Sequence, residues 1–180
     1  MHYASVSFTH KNTDISVREK LSFSNIERKN EILRLISSSQ NINECMVLST
    51  CNRVEIIASV KTVEGASKHI IACMSLICGI PFEELQSRAD IYEDNGAVHH
   101  LFAVASSLDS LVIGETQIAG QLKEAYKFAR SNGKCGAKLG RAMEFAFKCA
   151  AEVRNKTEIS KNPISVSSVA VAKAKEIFGT

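Results

Sequence analysis

Cys45-Met46-Val47-Leu48-Ser49-Thr50-Cys51-Asn52-Arg53-Val54-Glu55-Ile56-Ile57-Ala58-Ser59-Val60 sets two short runs of branched aliphatic residues on either side of a polar knot. Both runs read as strands, with Ser49–Arg53 connecting them. Cys51 therefore stands where a strand ends, two residues before Arg53 and between a hydroxyl and an amide. A guanidinium within a few Å of sulfur favours the thiolate, the form that attacks electrophiles. The same residue also reads as a small buried hydrophobe, the commoner state of a free cysteine. The local residues leave both readings open.

Upstream, residues 3–8 alternate apolar and small polar side chains as a half-buried strand does. Ser16 and Glu19 have the spacing of a capping box, which predicts a short helix through Leu21. A second helix is predicted across 25–37. Downstream, the stripe Ala66, Ile70, Cys73, Met74, Ile77 predicts a helix over 64–79, ended by Gly79 and Pro81. Cys73 and Cys78 belong to that stripe and read as packing residues. Residues 90–93 supply a fourth strand. The order predicts an α+β fold: a small antiparallel sheet of split β-α-β (ferredoxin-like) type with helices on one face, followed by a helical second half from Gly96 onwards.

In that second half, helical spacing over 97–108 gathers Val98, Leu101, Phe102, Ala105 and Leu108 on one side and turns His100 away from them. His99 lies at the edge of the stripe and takes no role. Residues 108–121 mix hydroxyl, carboxylate and amide groups with two glycines, the composition of a surface loop or of a polar-ligand pocket wall. Helices are predicted over 117–130 (Ile118, Leu122, Ala125, Ala129) and 137–154 (Leu139, Met143, Ala146, Ala150, Val153). Between 121 and 161 ten Lys/Arg face four Glu, and Lys123, Lys127, Arg130 and Lys134 share a helical face. That face reads as solvated surface or as a phosphate-binding stripe. Thr157–Pro163 is the linker candidate, and Ile164–Phe178, closed by Gly179, reads as a helix cut at a domain border.

The 180 residues suit one domain, or one domain and the start of another. A net charge of +3 does not announce a nucleic-acid partner. The six cysteines (45, 51, 73, 78, 135, 149) show no CxxC and no His/Cys cluster at zinc spacing, so no metal site is predicted. With no leader at Met1-His2-Tyr3 and no apolar run of spanning length, a cytoplasmic, reduced setting without membrane contact is the economical expectation.

Three signatures in order resemble the glutamyl-tRNA reductase family: Ser49-Thr50-Cys51-Asn52-Arg53-Val54-Glu55, Ala97-Val98-His99-His100-Leu101-Phe102, and Leu108 through Ile118 with Gly120-Gln121. The tail from Val153 to Thr157 and Ser165 to Ser167 is similar too. The resemblance implies that residues 1–160 are the family's N-terminal catalytic domain and 161–180 the start of its connecting helix. It further implies reduction of glutamyl-tRNA by NADPH to glutamate-1-semialdehyde, in tetrapyrrole (porphyrin, haem) synthesis, through an enzyme thioester. Cys51 matches the family's nucleophile and His100 its nearby acid/base histidine. Thr50, Asn52, Arg53, Ser110, Glu115, Thr116, Gln117 and Gln121 match its substrate-holding residues. Arg53 suits a carboxylate, and Asn52 or backbone N–H groups suit an oxyanion.

The sequence departs from the family at Ala103, where Arg is common, at Ser107, where Gly is usual, and at Thr116, where Pro is frequent. No GxGxxG follows a strand, and Gly133, Gly136 and Gly140 have the wrong spacing. The resemblance places NADPH in a following domain and a homodimer interface in a further one. The chain by itself is expected to form the thioester and slowly hydrolyse glutamyl-tRNA, without making the aldehyde. Rival readings are a non-catalytic module that docks tRNA, a regulatory protein or haem as feedback effector, and an unrelated thiol hydrolase using Cys51 and His100.

Overall fold

Strand β1 (His2–Thr9) pairs antiparallel with β3 (Arg53–Val60), which pairs antiparallel with β2 (Ile42–Ser49); β4 (Asp90–Glu93) adds antiparallel to the other side of β1. The order β2-β3-β1-β4 is the predicted split arrangement. The computed structural model describes residues 1–115, 117–159 and 166–179, with the backbone alone at 166–169 and 172. Between β1 and β2 lie α1 (Ile15–Leu21) and α2 (Ile26–Ile36); between β3 and β4 lie α3 (Ala66–Cys78) and α4 (Phe82–Arg88). After β4 come α5 (Asn95–Ala105), α6 (Gln117–Ser131), α7 (Ala137–Lys156) and α8 (Val166–Phe178). The linker candidate is described as far as Ile159; its remainder lies outside the described residues.

Strand alternation makes two unlike faces. Ala4, Val6 and Phe8 of β1 register with Ala58, Ile56 and Val54 of β3, all with no exposed surface. This face packs under α1–α3, and each buried Val, Ile or Phe contributes roughly 1.5–3 kcal/mol. The opposite face carries Ser5, Ser7 and Thr9 against Ile57, Glu55 and Arg53. It is buried as well, because the helical second half lies over it: Tyr3 Oη donates to the Lys138 carbonyl of α7 (3.1 Å), and α5 brings His100 onto Glu55 (2.9 Å). A polar sheet face sealed from water must satisfy its groups internally. This necessity shapes the site.

Several local expectations change. α1 begins at Ile15 after Asp14, and its cap makes no side-chain hydrogen bond, so the Ser16–Glu19 box does not form. α4 was not predicted; it follows Pro81 and buries Leu85. α3 ends as predicted at Gly79, whose φ of 65° lets its N–H bond the Ser75 carbonyl (2.9 Å). α7 is capped from outside: Glu44 of β2 accepts from the N–H groups of Lys138 (3.1 Å) and Leu139 (2.7 Å). Lys134 leaves the basic stripe, since α6 stops at Ser131 and the Lys134 ammonium donates to Ser37 (2.8 Å). Among the described residues, no helix is long and apolar enough to cross a membrane.

The buried side of α5 is Ala97, His100, Leu101, Val104 and Ala105, while Leu108 lies beyond the helix and is exposed. This corrects the wheel reading that turned His100 away from the core. The imidazole is a core element because its ring stacks on Tyr92 (centroids 3.9 Å apart, planes 9° apart) and its Nε2 meets Glu55.

Candidate active site

The β2–β3 connection is a tight turn organised by Thr50. Its N–H donates to the Arg53 carbonyl (2.8 Å), while its hydroxyl accepts from the N–H groups of Asn52 (3.2 Å) and Arg53 (3.1 Å). A hydroxyl that substitutes for missing ladder bonds fixes the turn without a glycine. Cys51 rides at its tip and is exposed. The other thiols differ: burial pushes Cys45 and Cys135 up to about 12 and Cys73 up to about 11. These three stay protonated packing groups. Burial also raises Cys78, against the opposing charge of Arg28.

Thr50, Cys51, Asn52 and Arg53 form one wall of a small cleft of about 40 Å³. Ser110, Glu115, Gln117 and Gln121, from the loop before α6 and its first turns, form the other. The structure thus gathers eight of the predicted site residues around one space. Thr116 lies outside the described residues. His100 is not among the cleft's lining. Three further lining residues are not among the predicted site residues: His10, Leu111 and Ile118. His10 follows the last residue of β1, and its N–H donates to the Asn52 carbonyl (3.1 Å). Its only advance signal is the β1–β3 register, which pairs Thr9 with Arg53.

Beneath the cleft runs a charged network on the polar sheet face. Arg53, 4% exposed at the side chain, donates from Nη1 to Glu55 (3.2 Å) and from Nη2 to the Asp109 carboxylate (2.9 Å) and the Asp109 main-chain carbonyl. Glu55 also accepts from Ser5 (2.7 Å) and lies 2.9 Å from His100 Nε2, an ion-pair contact without the alignment of a hydrogen bond. Burial alone would raise Glu55, but His100, Arg53 and Ser5 together hold its carboxyl below the usual range. Asp109 is likewise opposed by burial and held low by Lys11 (2.5 Å) and Arg53. His10 is pushed down by burial and by the neighbouring charges of Lys11, Arg18 and Arg53, with Asp109 opposing, which favours its neutral imidazole.

The loop carrying Asp109 and Ser110 is closed at its base by Ser107, whose φ of 61° lies in the left-handed region. Its hydroxyl donates to the Glu115 carbonyl (2.5 Å), and its carbonyl accepts from Gly114 N–H (3.0 Å). The family's usual Gly at this position is therefore a backbone requirement, which Ser107 meets with local bonds. Nothing in the structure explains Ala103.

Residues 6–157 match the family model described as glutamyl-tRNAGlu reductase, N-terminal domain. The chain belongs to that family. It is 68% identical over 180 residues to the glutamyl-tRNA reductase of Campylobacter concisus (strain 13826), covering 100% of this chain and 42% of that protein. Against the glutamyl-tRNA reductase of Campylobacter fetus subsp. fetus (strain 82-40) it is 68% identical over 179 residues, 99% of this chain and 42% of that one. The solved glutamyl-tRNA reductase from Methanopyrus kandleri matches with a TM-score of 0.73 at 29% identity, over 97% of this chain and 39% of that one. The chain thus spans 42% of the length of its Campylobacter glutamyl-tRNA reductase relatives.

Proposed function

We propose that this chain carries out the acyl-transfer half of the glutamyl-tRNA reductase reaction. Cys51 Sγ attacks the ester carbonyl that joins glutamate to the terminal ribose; a C–S bond forms, the C–O bond breaks, and tRNA leaves as an alcohol. The observation that carries the reading is the exposed thiol at the tip of the β2–β3 turn, facing a polar cleft. A ribose ester is a competent acyl donor, so the site has mainly to place it and stabilise the oxyanion.

In this reading Thr50 holds the turn that presents Cys51, and Asn52 beside it is a donor for the oxyanion. Glu115 suits the ammonium of the glutamyl group, while Ser110, Gln117 and Gln121 hold its remaining polar atoms. Arg53 suits its carboxylate, which must share the guanidinium with Asp109 or displace it. His100 acts as a positioning residue, keeping Glu55 and through it Arg53 in place. Lys123, Lys127 and Arg130, exposed further along the helix that presents Gln117 and Gln121, suit the tRNA phosphates.

Family membership implies NADPH. The described residues do not fit that dinucleotide: the sheet is wholly antiparallel, and β1 runs into α1 through His10-Lys11-Asn12-Thr13-Asp14, with no glycine for a pyrophosphate to approach. No hydride step is therefore derived from these residues.

The test is incubation with glutamyl-tRNA labelled in the amino acid, followed by acid precipitation. Label should appear on the protein and be lost in Cys51→Ser. Absence of transfer favours a binding module, and equal transfer from unrelated esters favours a general thiol hydrolase.

A further inference from the structure

We infer that His10 is the proton carrier of the acylation, taking the Cys51 proton and delivering it to the departing ribose oxygen. The inference rests on the acyl-transfer reading above and adds a residue to it. Attack on an ester by a thiol requires one proton to move from sulfur to oxygen. In balance, the thiol and the ester become a thioester and an alcohol, and the imidazole returns to its starting state.

Two histidines compete for that task. His100 is 5% exposed, stacked on Tyr92, committed to Glu55, and absent from the cleft wall. His10 lines the cleft together with Cys51, is half-buried, and is tied by its N–H to the Asn52 carbonyl beside that cysteine. None of the side-chain hydrogen bonds among the described residues occupies its ring, in contrast to His2 and His69, whose nitrogens are engaged. The charged groups facing His10 are Lys11, Arg18 and Arg53, which disfavour its cation, and Asp109, which favours it; Glu115 shares the cleft. The balance leaves a neutral base that can accept a proton and, once charged among three cations, gives it up readily.

The test uses two glutamyl esters, glutamyl-tRNA and the p-nitrophenyl ester of glutamate, whose leaving group departs as a stable anion. His10→Ala and His10→Gln should slow acylation of Cys51 by glutamyl-tRNA about 100-fold or more. With the nitrophenyl ester at alkaline pH, where hydroxide deprotonates the thiol, the loss should be about tenfold smaller or less. The acid limb of the glutamyl-tRNA profile, set below the ordinary histidine range, should vanish in His10→Gln. Unchanged acylation by glutamyl-tRNA in both variants overturns the inference. Equal losses with both esters in both variants also overturn it, by assigning His10 to packing. Labelling that persists in Cys51→Ser removes the nucleophile and this inference with it.

Discussion

Arg53 and Asp109 are joined twice: one guanidinium nitrogen donates both to the Asp109 carboxylate (2.9 Å) and to its main-chain carbonyl. The pairing ties the turn that bears Cys51 to the loop that forms the opposite wall of the cleft, and Lys11 holds the same carboxylate from just past the end of β1. Because Asp109 is held low in the folded chain, its contribution to stability is full above the ordinary carboxylate range and is lost as pH falls through its lowered value. Glu55, shifted in the same direction, adds to this. Unfolding free energy measured by urea titration should therefore fall as pH drops below about 4. Asp109→Asn should cost about 1–2 kcal/mol at neutral pH and flatten part of that acid fall.

Glu55 is the centre of the buried charges, with no side-chain exposure and with Arg53 and His100 depending on it. Glu55→Gln keeps an acceptor for Ser5 but leaves the guanidinium uncompensated on that side. Stability should drop by about 3 kcal/mol or more, read from the urea midpoint at unchanged slope.

Ser107 meets the left-handed backbone requirement with its hydroxyl. Ser107→Ala keeps the unfavourable φ and removes the bond to Glu115, so it should destabilise by about 1 kcal/mol. Ser107→Gly loses the same bond but relaxes the backbone, and should lie within about 0.5 kcal/mol of the parent. Thermal melts of the two variants side by side check the ordering.

Replacing Lys123, Lys127 and Arg130 together by Gln should weaken binding of tRNA and lower the slope of log affinity against log salt by about 2–3. An unchanged slope would return these side chains to the role of solvated surface.

The sheet was legible because residues 3–8 alternate apolar and small polar side chains and because the runs on either side of Ser49–Arg53 are short and rich in branched aliphatics, signals that do not depend on what covers either face. The cleft was legible in part because Thr50–Arg53 is contiguous. α4 was not: Leu85 is its single buried residue, and one apolar position makes no stripe. His100 was turned the wrong way because a wheel counts aliphatic residues, whereas the core of α5 is completed by an imidazole whose partners, Glu55 and Tyr92, come from other strands. His10 was missed for a related reason. Its nearness to Cys51 is a fact of strand register, which joins residues distant in sequence.

The most direct measurement is peptide mapping by mass spectrometry after brief incubation with glutamyl-tRNA and acid quench. A single glutamyl adduct is expected on the peptide containing Cys51, sensitive to hydroxylamine as a thioester is, with Cys45, Cys73 and Cys135 unmodified. An adduct on another residue, or release of glutamate at the same rate from Cys51→Ser without any adduct, would contradict the assignment of that sulfur as the nucleophile.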